Sequence, residues 1–165
     1  MIVSRGLTLS LACGIYLFTS QWLGKKWLKE ICVAFNYAIG VMIVPLILVG
    51  DKALWIITLQ IFMLALLNLL TFSIFEVDED KEEGFHSIAS QLGTKLCAGI
   101  SGVILFMLLG SLLFTSLPMA IEIFMAIGGL IYAVMYAFPH FFAVNERYRI
   151  VGDAVFLMAA LFLLF

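Results

Sequence analysis

Six carboxylates crowd into eight consecutive positions, Glu76, Asp78, Glu79, Asp80, Glu82 and Glu83, between two long apolar runs. Like charges four apart on a helix repel by about 0.2–0.5 kcal/mol per pair, so this density needs water or a counter-charge. If the preceding helix continues into the stretch, Glu76, Glu79, Asp80 and Glu83 share one face by i, i+3, i+4, i+7 spacing. Such a face is an oxygen-only ligand set for a hard divalent cation. Mg²⁺ is the best match, because it takes one or two carboxylates together with phosphate oxygens. The alternative is a solvated acidic loop that separates two membrane helices. Basic residues gather in two other connections, Lys25, Lys26 and Lys29 in one, Arg147 and Arg149 in the other. Carboxylates attract a metal and lysines attract phosphate. Together, at the mouth of a helical bundle, they suit a diphosphate held through Mg²⁺, with an isoprenoid tail lying between the helices. Lysines at cytoplasmic helix ends are also what topology alone produces.

The elements that must position these groups are membrane helices. The chain is 64% hydrophobic and 12% charged, against a soluble norm of about 25% charged. Apolar runs near the length of a bilayer span recur, which predicts an all-α, polytopic membrane helix bundle in one domain, residues 1–165. We place six spans, at about 2–24, 31–50, 53–75, 96–116, 118–142 and 148–165, with an acidic loop over 76–95. Seven of the nine Lys and Arg fall on one face, leaving Arg5 and Lys52 on the other. The positive-inside rule puts the seven, and the acidic loop with them, in the cytoplasm and both termini outside. A bacterial inner (plasma) membrane is the expected location, with membrane lipid as the surrounding partner and no nucleic-acid partner. The first span lacks a polar cleavage region, so it reads as a reverse anchor or as a helix from the middle of a longer protein.

Inside the spans, Asn36, Gln60 and Asn68 are expected to meet other helices or a cavity. Gly129, Ala133 and Ala137, and likewise Ala98 and Gly102, form small-residue stripes that allow close helix approach. Pro45 and Pro139 are expected to kink their helices, and Glu122 to snorkel to the outer interface. The last span is short for a bilayer unless it starts near Arg147, which makes Arg149 and Asp153 an i, i+4 pair. His140 reads as an interface residue and His86 as structural. Cys13, Cys32 and Cys97 have no metal or disulfide spacing and read as small buried hydrophobes.

The run from Ile74 to Gly93, IFEVDEDKEEGFHSIASQLG, resembles the second aspartate-rich motif of UbiA-type intramembrane prenyltransferases. The family pattern is roughly D-x-E-x-D-x-x-x-G-x-x-[ST]-[LI], with a Gly five residues later. Glu76, Asp78, Asp80, Gly84, Ser87, Ile88 and Gly93 occupy those positions. Gln21-x-x-x-Lys25-Lys26 resembles the family's Y-x-x-x-K element, with Gln21 where Tyr is usual. Arg147 to Asp153 is similar in character to the start of the family's final helix. The resemblance covers the chain as spans four to nine of a nine-helix bundle. It implies transfer of a prenyl group from a prenyl diphosphate to an acceptor. Glu76, Asp78 and Asp80 would hold Mg²⁺, and Lys25 and Lys26 the diphosphate. The sequence departs from the pattern at Glu76, where Asp is usual, at Asp78, where Glu is usual, and just before the motif, where Ser73 or Phe72 replaces Asn. The first aspartate-rich motif, the other half of the metal cage, is not in this sequence. The chain therefore reads as a C-terminal fragment, as one half of a split enzyme whose partner chain supplies the missing N-terminal helices, or as a non-catalytic relic that keeps the fold.

Overall fold

The computed structural model describes residues 28–162, with side chains through residue 158; the expected first span, Lys25 and Lys26 lie outside the described residues. Every described element is a helix. In chain order they are α1 (Leu28–Leu48), α2 (Ala53–Phe75), α3 (Val77–Glu82), α4 (Ile88–Leu92), α5 (Thr94–Ser111), α6 (Met119–Ala137), α7 (Pro139–Ala143), a 3₁₀ turn (Val144–Glu146) and α8 (Arg147–Phe162). Four of them, α1, α2, α5 and α6, are long and apolar enough to cross a membrane.

The boundaries shift from the expected ones for local reasons. The span expected over 118–142 breaks in two, because the ring of Pro139 cannot continue α6 and Phe138 leaves the helical region at φ −126°, ψ 55°. Pro45 is accommodated inside the last turn of α1. The loop expected over 76–95 is mostly helical. Glu76, at φ −97° and ψ 6°, interrupts the helix for one residue before α3 resumes it. α3 then stops at Gly84 (φ +72°), where Phe85 N–H donates to Asp80 O at 2.7 Å and Gly84 N–H to Lys81 O at 3.3 Å. This is the paired bonding of a Schellman turn, which needs a residue free to adopt positive φ.

α2 is the central post, in contact with α1, α4, α5, α6 and α8. Its buried side chains, among them Leu64, Leu67, Leu70 and Thr71, point in several directions, which suits a helix that is apolar all round. Leu64, Leu67, Leu108, Met125, Tyr132, Met135 and Val155 share the main core. The small-residue stripes divide. Gly129 is buried, and a Cβ there would come within 2.9 Å of Leu109 Cδ2, so it is a close-approach point between α6 and α5. Ala98 and Gly102 are exposed, and nothing lies within 4 Å of a Cβ on Gly102. Polar ties join the post to its neighbours: Gln60 Nε2 donates to Ser111 Oγ at 2.9 Å, and Thr71 Oγ1 lies 2.8 Å from Tyr136 Oη. Glu122 caps rather than snorkels, its Oε1 accepting from Leu117 N–H at 3.0 Å.

Candidate functional site

The charged ends of α1, α2 and α8 meet on one face, and two carboxylate-centred constellations organise it. The first is built around Arg149. Its Nε donates to Glu76 Oε1 at 2.7 Å and its Nη1 to Glu146 Oε2 at 2.7 Å, while Glu79 Oε2 lies 3.7 Å from Nη2. Glu76 and Glu79 do share a helical face, as their spacing requires, but the cation they meet is a guanidinium. Aromatic packing delivers it: the Tyr148 ring stacks on Phe75 at 4.7 Å and meets Phe72 edge-on at 5.8 Å. The preceding backbone also contributes, with Asn145 and Glu146 both at positive φ (53° and 54°). For a Glu this costs energy, of order 1–3 kcal/mol, and the ion pair to Arg149 helps to offset it.

The second constellation accounts for every first-turn N–H of α4. Ile88 N–H donates to Glu30 Oε1 at 3.0 Å, Ala89 N–H to Ser73 Oγ at 2.8 Å, and Ser90 N–H to Ser87 Oγ at 3.4 Å. A short helix buried at its start would otherwise leave these donors unsatisfied. Glu30 is 9% exposed and its Oε2 has no hydrogen-bond partner among the described residues, with Lys29 and Asp80 within electrostatic reach. The expected site residues therefore separate. Glu76 joins Arg149. Asp78 points outward, 91% exposed, against Lys81 at 3.7 Å. Asp80 lies within electrostatic reach of Glu30. Lys25 and Lys26 lie outside the described residues.

These carboxylates do not fit a shared divalent ion as arranged. Mg²⁺ asks for a near-octahedral oxygen set, yet among the described residues no group of three His, Cys, Asp or Glu side chains is placed to hold an ion, and the three carboxylates that do gather, Glu76, Glu79 and Glu146, gather on Arg149. Periodicity separates the three motif positions as well: residues two apart on a helix face nearly opposite ways, so Asp78 leaves the face that Glu76 and Asp80 share.

Spacing alone reveals neither Glu30 and Ser73 as partners of the start of α4 nor Arg149 as the partner of the acidic stretch. Spacing along α8 pairs Arg149 with Asp153, but the structure gives it to α2 and α3. A signal for Glu30 is available. Glu30, Ala34, Ala38 and Met42 recur every four residues and are the buried positions of α1. His86 and His140 are exposed, and Cys97 is buried. Comparison with known protein families, curated proteins and solved structures yields no match.

Proposed function

We propose that the chain is an integral membrane protein of the UbiA prenyltransferase type. Its charged face takes the diphosphate end of a prenyl diphosphate, and its helices carry the tail. In this reading 2–24 and 148–165 are also spans, giving six, and the acidic stretch faces the cytoplasm of a bacterial inner membrane. The observation that carries the reading is a match of residue type to backbone demand across the motif. Gly84 and Gly93, which the family pattern reserves for glycine, have φ of +72° and +87°. Ser87, at its Ser/Thr position, is the N-cap of α4. The acidic residues stand directly before this turn, at the end of a membrane-length helix.

Group transfer would break the allylic carbon–oxygen bond to diphosphate and join that carbon to an acceptor. Mg²⁺ enters the reading from the resemblance alone, and on Glu76 it must compete with Arg149. With the first aspartate-rich motif absent from this sequence, the reading expects binding from this chain, and turnover only with helices that supply that motif, on a separate chain or on a longer one. The test is binding of a non-hydrolysable prenyl diphosphate analogue to the purified chain in detergent, with and without Mg²⁺. Binding weakened by Asp80→Ala and by Lys25→Ala supports the proposal. A second reading, a non-catalytic bundle that keeps the prenyltransferase-like arrangement, is favoured by the capture of Glu76 by Arg149. Absence of binding in a chain shown to be folded would establish that reading over the first.

A further inference from the structure

The residue left over by the Arg149 constellation is Asp153. Four residues along the same helix, it is the partner that spacing alone would give Arg149, and among the described residues it has no ion pair. It lies on a cavity of about 270 Å³ between α1, α2 and α8, whose walls include Val33, Ala65, Leu69 and Phe156. Two more polar side chains line the same space, Asn68 and Tyr37. Asn68 is 8% exposed and its Oδ1 has no hydrogen-bond partner among the described residues. That oxygen sits against the α-carbon of Gly152, where any Cβ would overlap it, so the glycine beside Asp153 is what leaves room for Asn68 on this cavity. The Tyr37 ring meets Phe156 edge-on at 5.2 Å.

A buried amide oxygen among aliphatic walls is costly unless a donor reaches it, and Asp153, exposed at the mouth of the same cavity, sets a negative charge beside it. We infer that this cavity binds an ammonium group carried on a lipophilic chain. An ammonium brings three donors and a positive charge, which suits one carboxylate, one amide oxygen and one phenol oxygen. The rings of Tyr37 and Phe156 add faces that attract a cation. A hard metal ion such as Ca²⁺ asks for about six to eight oxygens, and these walls offer carbon instead. At 270 Å³ the cavity is just below the roughly 300–1,000 Å³ of sites that enclose a drug-sized ligand. It therefore takes the head and the first carbons, with the rest of the tail between helices. The ammonium has two possible sources, a free long-chain amine or the head group of an ethanolamine phospholipid. The inference stands apart from the acidic stretch and does not rest on the prenyl diphosphate reading.

The test titrates the purified chain, in an uncharged detergent, with a fluorescent long-chain primary amine and with the matching alcohol. Saturable binding of the amine, weaker for the alcohol by about tenfold or more, is expected from the loss of a charge-assisted hydrogen bond. Asp153→Asn should produce a loss of similar size, and Asn68→Leu a smaller one. Because either variant could fold poorly, the wild-type chain is also treated with a hydrophobic carbodiimide, the amine here being the N,N-dimethyl form, which keeps the charge and cannot be coupled to the activated carboxylate, and modification of Asp153 is followed by mass spectrometry. Protection by the amine and not by the alcohol supports the site. Equal binding of amine and alcohol, or modification of Asp153 at the same rate with and without amine, overturns it. In nanodiscs, displacement of the amine by phosphatidylethanolamine but not by phosphatidylcholine identifies the lipid as the source. Displacement by neither identifies a free amine.

Discussion

Arg149 illustrates how a residue's role depends on what reaches it. In the sequence it is a basic residue at a helix start, with Asp153 in i, i+4 register. In the fold its guanidinium makes two 2.7 Å bonds, to Glu76 and Glu146. Charge-assisted bonds contribute about 1.5–3 kcal/mol each when shielded, but the Arg149 side chain is 42% exposed, so solvent and salt reduce that. Arg149→Gln should cost about 1–2 kcal/mol and weaken the salt dependence of thermal unfolding in detergent, since what is lost is screened by ions. An unchanged melting profile at both low and high salt would mean the ion pairs contribute nothing. Ser73→Ala removes the acceptor of a buried N–H, and an unsatisfied donor costs about 1–3 kcal/mol. Hydrogen exchange at Ala89 should speed up with little change in α6. Glu30→Gln, which keeps an acceptor oxygen for Ile88, should cost less than Glu30→Ala.

Two glycines set how the elements join, for different reasons. Gly84 has φ +72° and open space where a methyl group would stand, with nothing within 4 Å. Gly84→Ala should therefore cost only its backbone conformation, about 1 kcal/mol, read as a small drop in melting temperature. Gly152 has ordinary helical backbone but no room, since a Cβ would meet Asn68 Oδ1 and lie 2.8 Å from Phe72 Cε1. Gly152→Ala should push α8 from α2 at a cost of about 1–3 kcal/mol, and Asn68→Ala on the same chain should restore part of it. If the double variant is no more stable than the single one, Asn68 is not the obstruction. Gly84 stood out in the sequence only as a motif position within an expected loop, and the Schellman turn it makes comes from the structure. The crowding at Gly152 was not legible either, because it depends on a helix far earlier in the chain.

At the scale of the molecule, the bundle puts the acidic stretch at one end and Asp51, which accepts from Ala53 N–H at 2.9 Å, at the other end of α2. In sealed vesicles, single cysteines placed by Glu82→Cys and Lys52→Cys, in a chain with its own three cysteines replaced, should react with an impermeant thiol reagent from opposite sides. Labelling of both from the same side would mean that α2 does not cross the bilayer. The four membrane-length helices were readable from apolar run length, since burying a bilayer's thickness of backbone requires it. The break at Pro139 was expected only as a kink, because the extent of a bend is set by what packs beyond it.

Apolar run length and charge spacing are enough to show that the chain is helical, that its helices are of membrane length, and that its charge collects in a few connections. Those properties follow from local rules: periodicity, run length, the backbone freedom of glycine and the fixed φ of proline. Which donor answers which carboxylate is set by how the helices pack. Glu76 and Glu146 take Arg149, Glu30 takes the start of α4, and Asp153 is left on an apolar cavity. Partner choice of this kind depends on distances between residues far apart in the chain, and electrostatic and hydrogen-bond energies fall off too steeply with distance for spacing along one helix to decide them.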